Sequence, residues 1–164
     1  MQGKFWFLAT LVLGTCAFFA AQPLHAQCKV IWVLKVPCLK VEEALVNQIQ
    51  QWTTSAGCVT EGEKCQYELI SANHTQIIAK HTTALDRNVD IMHFYLKSDI
   101  LNLNCRLVGI SASQNLERVH DNGTNYCNIY NLVDGSGLTS VPEFKEISND
   151  WMCTQRSIAN CTLV

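Results

Sequence analysis

Eight cysteines, Cys28, Cys38, Cys58, Cys65, Cys105, Cys127, Cys153 and Cys161, are spread along one chain behind an apolar leader that holds a ninth, Cys16. An even set of this kind constrains the fold more than any local pattern, because each cross-link forces two distant segments to lie side by side. Cross-linking needs an oxidising compartment, and the leader supplies the route to one. Lys4 is the only charge before Lys29, residues 5–13 and 16–21 are mostly apolar, and Leu24-His25-Ala26 ends on a small residue. A positive start, an apolar centre and a small residue at the cut predict a signal peptide over 1–26, with Gln27 as the first mature residue. The apolar run falls short of the ~20 residues that span a bilayer. No later stretch approaches that length, and the end of the chain lacks the apolar tail of a glycolipid anchor. The expectation is a protein secreted to the extracellular space, with no membrane span.

Residues 27–164 then form one domain, long enough to bury roughly two-thirds of its unfolded surface. The formal charge of the whole chain is −2, and loss of Lys4 makes the mature chain more acidic. No Lys/Arg cluster suits phosphates, so no nucleic-acid partner is expected. No Cys-x-x-Cys pair occurs, which favours four disulfides over zinc. The pairs asking for the least chain closure are Cys28–Cys38, Cys58–Cys65, Cys105–Cys127 and Cys153–Cys161. Asn73, Asn122 and Asn160 each begin an Asn-x-Thr sequon, which predicts surface glycosylation sites.

Val41, Leu45, Ile49 and Trp52 recur at helical spacing opposite Glu42, Glu43, Asn47, Gln50 and Gln51. That stripe predicts an amphipathic helix over 39–55, with Glu42 and Glu43 in its first turn, Leu45 and Trp52 buried and Gly57 as its stop. Residues 30–34 read as a buried strand closed by Pro37. Segments 65–71, 76–85, 89–97, 105–111 and 125–133 read as strands separated by turns. Residues 134–137 read as a loop and 142–151 as a short helix. A helix followed by a run of strands predicts an α+β fold, the helix on an antiparallel meander of about five to six strands. The alternative is a small closed β-barrel with a flanking helix.

Catalytic signatures are scarce. A hairpin that joined His81 to His93, with Asp86 or Asp90 orienting one ring, would make an acid–base pair or half a metal site. His74 and His120 stand apart. Gly-x-Ser-x-Gly, phosphate loops and dinucleotide glycines are absent, and an even cysteine count leaves no free thiol. The cystatin inhibitory loop, the lipocalin Gly-x-Trp and the ribonuclease cysteine signature also have no match. The expected catalytic, metal and cofactor sets are therefore empty. Trp32, Tyr67, Phe94, Tyr95, Tyr126 and Tyr130 read first as core. The function reads as a secreted extracellular glycoprotein that binds a protein partner or receptor. The alternatives are a carrier of a small apolar ligand and a small hydrolase using His81 or His93.

Overall fold

Strand β1, Gln27–Leu34, alternates buried and exposed side chains, with Cys28, Val30, Trp32 and Leu34 turned inward. Alternation of this kind arises wherever one face of a strand meets a core. The computed structural model describes residues 25–59 and 62–162. Residues 1–24 of the expected signal peptide lie outside the described residues, whereas Ala26 is inside and fully buried. Helix α1 (Cys38–Gln51) follows, then β2 (Tyr67–Asn73), β3 (Gln76–Thr82), β4 (Val89–Ser98), β5 (Cys105–Ser113), helix α2 (Thr124–Gly135) and the short β6 (Lys145–Ile147). The fold is α+β, with two α-helices among the described residues.

The six strands form one antiparallel sheet in the order β2-β3-β4-β5-β1-β6. The sheet ends at β2 and β6, so it is open and the barrel alternative is corrected. Both helices contribute side chains to the single core: Val41, Leu45 and Ile49 from α1 meet Ile129 and Leu132 from α2 around Trp32, Tyr67 and Phe94. Full burial of each large side chain contributes about 1.5–3 kcal/mol. Gly109 in β5 makes room for two of the rings. A Cβ there would stand 2.8 Å from the Trp32 indole and 3.3 Å from Phe94.

Helix α1 is shorter than its expected 39–55 span. It starts at Cys38, so Glu42 and Glu43 lie beyond its first turn, and it stops at Gln51, well before Gly57. Leu45 is buried, but Trp52 is only half-buried. Its ring packs beside Tyr67, and a Cβ on Gly135 of α2 would come within 2.5 Å of it. Trp52 therefore fills the seam where α1, α2 and the start of β2 meet.

The expected strand over 125–133 is instead helix α2, and residues 134–135 of the expected loop are its last turn. The Asp121 carboxylate accepts the backbone N–H of Gly123 at 3.1 Å and of Asn125 at 2.8 Å, which satisfies amides that a helix start leaves orphaned. Asn125, Asn128 and Asn131 stand three residues apart, a helical spacing, and all are buried. Burial around nearly the whole helix removes the amphipathic stripe that would mark it in the sequence. The expected helix over 142–151 contains β6 instead, which pairs Lys145, Glu146 and Ile147 with Val33, Trp32 and Ile31. The open edge of β1 supplies backbone partners that a short local helix lacks.

The disulfides are Cys28–Cys153, Cys38–Cys105, Cys58–Cys65 and Cys127–Cys161. Only the Cys58–Cys65 loop agrees with the nearest-neighbour expectation. Because β1 lies against β5, Leu34 faces Cys105 and brings that cysteine to the start of α1 at Cys38. Cys127 sits on α2, whose first turn meets the other end of β5 through Ser111. The expected Cys105–Cys127 bridge would have to cross the length of that strand. The tail is anchored twice, at Cys153 to β1 and at Cys161 to α2, and is not a small closed loop.

Candidate functional site

Toward one end of the sheet the inward side chains change from apolar to polar. His81 and Asp90 face each other in register across β3 and β4, and Ser111 and Ser113 follow on β5. Helix α2 and the segment before it bring Asp121, Asn125 and Asn128 against them. The Ser111 hydroxyl donates to Asn125 Oδ1 at 2.6 Å, and Asn125 Nδ2 donates to Asp121 Oδ2 at 2.8 Å. Asn128 Nδ2 donates to Asp90 Oδ2 at 2.8 Å, and Arg118 Nη1 lies 3.5 Å from Asp90 Oδ1. Burial raises the Asp90 carboxyl above its ordinary range, against the opposing pull of Arg118, Asn128 and Ser113. A charge removed from water is tolerated only when paired in this way. The cluster bolts α2 to the sheet, and Asp90 and Asn128 are fully buried, so a substrate reaches it only if the helix moves.

His81 and His93 do not come together. His81 opposes Asp90, whereas His93 opposes Ile78 three positions away. His81 points into the core and His93 to the opposite face, because successive side chains of a strand alternate. The His81 Nε2–H donates to the Glu63 carbonyl at 2.9 Å, and the ring lies 4.4 Å from that of Tyr67. Burial pulls its pKa from 6.5 to about 4, against the carbonyls of Glu63 and Cys65. The Tyr67 hydroxyl in turn donates to the Asn128 carbonyl at 3.2 Å. His74 meets Glu42 at 2.9 Å on an exposed turn, and His120 is exposed. Among the described residues, no group of three or more His, Cys, Asp or Glu side chains is arranged to hold a metal ion.

Among the described residues, no helix covers the opposite face of the sheet. Its centre is apolar: Ile78, His93 and Ile110 form one cross-strand row, and Tyr95, Val108 and Ile31 the next. His93 and Tyr95 stack with their planes 9° apart. Tyr95 is 42% exposed and Ile147, on the β6 edge, 52%. The charges that alternate onto this face from β1, β3, β4, β5 and β6 are all basic: Lys29, Lys80, Lys97, Arg106 and Lys145. Lys80 pairs with Glu68 of β2. A polypeptide of net negative charge therefore presents a cationic collar around an apolar centre. At one side Trp151 and Met152 of the tail border an open groove of about 310 Å³ over Lys29 and Ile110.

Asn73, Asn122 and Asn160 are all exposed. Asn73 Oδ1 holds the Thr75 hydroxyl at 2.9 Å, and Asn160 Oδ1 holds the Thr162 hydroxyl at 2.7 Å. Of the aromatic residues singled out in the sequence, Trp32, Tyr67, Phe94 and Tyr126 are core, Tyr130 packs against it, and Tyr95 alone belongs to the open face. Sequence reading passed over Arg118, Asp121, Asn125 and Asn128. The three-residue spacing of the asparagines was the one signal that pointed to them. No protein-family model, curated protein or solved structure matches this chain.

Proposed function

We propose that this protein is a secreted extracellular glycoprotein that acts by binding, without a catalytic centre, and that the helix-free face of its sheet receives an acidic protein partner. The observation that carries this reading is the apolar centre of that face inside a mainly basic collar of Lys29, Lys97, Arg106 and Lys145, with Lys80 offset by Glu68 of β2. A core of apolar contacts within a polar rim is the ordinary anatomy of a protein interface, and opposite charges around it steer and orient the encounter. Asp90, Ser111 and Asp121 are tied to Asn128 and Asn125 of α2, and His81 is buried against the Glu63 carbonyl and Tyr67. The carrier alternative calls for an enclosed apolar cavity, whereas the groove beside Trp151 is open.

The test places a photo-crosslinking side chain at Tyr95 in the secreted protein and exposes it to the extracellular fluid of its source. The expected result is an adduct with one acidic protein, lost in the Ile110→Glu variant and unaffected by His120→Gln, which lies off this face. Equal labelling from Glu43 on α1, or an adduct indifferent to Ile110→Glu, overturns the reading. A hydrolytic activity that His93→Gln abolishes with the fold intact would favour the enzyme alternative.

A further inference from the structure

The loop between β4 and β5 is a rigid apolar tip. Ile100 is 99% exposed, Leu101 72% and Leu103 59%. Exposed aliphatic side chains in sequence neighbours are unfavourable in water unless something covers them. The turn beneath them is held in one shape. The Asp99 carboxylate accepts the backbone N–H of Leu103 at 2.8 Å and the Asn104 side-chain amide at 2.7 Å, and the Asp99 N–H donates to the Asn104 carbonyl at 3.1 Å. These bonds occupy the one acidic group of the tip. The disulfide from Cys105 to Cys38 fastens the base of the hairpin to α1.

Behind the tip stand two cations. Lys97 and Arg106 are directly opposite each other in the β4–β5 register, and both are exposed. Neither makes an ion pair among the described residues. Each lies three residues from the nearest tip residue, Ile100 or Leu103, and because the strands end at Ser98 and Cys105 the separation is at most about 10 Å at ~3.3 Å per residue. That separation is close to the ~5–10 Å by which an apolar surface sinks past lipid headgroups. When the tip reaches the acyl chains, the cations therefore stand level with the phosphates.

We propose that this hairpin docks the protein on an anionic lipid surface, with Ile100, Leu101 and Leu103 inserted and Lys97 and Arg106 bound to the headgroups. The tip is convex. A protein partner would need a matching pocket, whereas a bilayer yields to a convex apolar tip anywhere on its surface. Asn122 sits by the first turn of α2, beside Gln155 of the tail, and that turn meets the far end of β5. A glycan there leaves the tip clear. Asn73, by contrast, lies in the β2–β3 turn at the tip's own end of the sheet, where the Leu96 N–H donates to the Thr75 carbonyl at 2.9 Å, so a glycan on Asn73 should weaken lipid docking. Lys97 and Arg106 also belong to the rim of the sheet face proposed for the protein partner, but the apolar tip does not, and vesicle binding is read without any protein partner.

The secreted protein is sedimented with phosphatidylcholine vesicles, with and without phosphatidylserine. Binding to the anionic vesicles only, weakened by added salt, is expected. Lys97→Gln and Arg106→Gln should each weaken it about fivefold. The triple variant Ile100→Ser, Leu101→Ser, Leu103→Ser should weaken it more than tenfold. All five side chains are exposed, so near-UV circular dichroism should remain that of the wild type. Absence of binding to anionic vesicles overturns the proposal, as does equal binding to neutral ones or unchanged binding by the triple variant.

Discussion

The indole Nε1–H of Trp32 donates to Glu146 Oε2 at 3.0 Å, tying the middle of β1 to the edge strand β6. The same carboxylate accepts the Tyr126 hydroxyl at 3.1 Å, the Ser148 hydroxyl at 2.7 Å and the Arg156 guanidinium at 3.2 Å. The guanidinium lies 3.7 Å over the Tyr126 ring. One acidic side chain thus joins sheet, helix α2 and tail. Burial and the Glu146 charge push the Tyr126 hydroxyl well above its ordinary range. Glu146→Ala leaves the Trp32 N–H without its acceptor and should cost about 2–3 kcal/mol. Urea unfolding read by tryptophan fluorescence measures it, and a loss below about 0.5 kcal/mol would show that water replaces the carboxylate.

Peptide mapping of the unreduced protein should recover the pairs Cys28–Cys153, Cys38–Cys105, Cys58–Cys65 and Cys127–Cys161. Replacing Cys38 and Cys105 together by Ser should lower stability by about 2–5 kcal/mol. The Cys58–Cys65 bridge spans only 7 residues against 67, so its removal should cost less.

Stability should fall as the medium is acidified from pH 6.5 to about 4. The folded protein holds His81 neutral down to about pH 4, whereas the unfolded chain takes up a proton near 6.5. The stability this gives is complete above 6.5 and lost on the way down, about 3 kcal/mol in all. Asp90 works in the opposite sense. Its raised folded pKa favours the folded state at low pH, and that contribution disappears as pH rises through the raised value. Wild type and His81→Phe share the Asp90 contribution, so the difference between their unfolding curves isolates the histidine. A difference that does not change with pH would show that His81 titrates alike in the folded and unfolded states.

Ala26 is fully buried, and its backbone is used on both sides. Its N–H donates to the Arg118 carbonyl at 2.6 Å, and its carbonyl accepts Ser113 N–H at 3.0 Å and Asn125 Nδ2 at 3.2 Å. A chain beginning at Gln27 should be about 2–3 kcal/mol less stable than one beginning at His25, because these buried groups lose their partner. Thermal unfolding of the two chains compares them directly. N-terminal sequencing of the protein isolated from its source then shows which chain the cell makes.

The cysteine count, the stripe of Val41, Leu45 and Ile49, and the alternation through β3 and β4 were all legible in the sequence. Each is a short-range pattern that one element imposes on its own residues. The spacing of Cys58 and Cys65 was equally local. Tertiary structure alone decided the rest. Insertion of β1 between β5 and β6 brings Cys105 to Cys38 and Trp32 to Glu146, and no spacing along the chain reports which strand lies beside which. Helix α2 was misread for a related reason. Helix, sheet and tail surround it, so its aromatic and β-branched residues are buried and so is its one polar stripe, Asn125, Asn128 and Asn131. Asp90 was singled out beside a histidine, which it does face, but Arg118, Asp121, Asn125 and Asn128 were passed over because a buried polar side chain is explained only by its partner, and here the partners come from other elements. Strand parity, finally, put His81 in the core and His93 on the open face, since one step in register exchanges the two sides of a sheet.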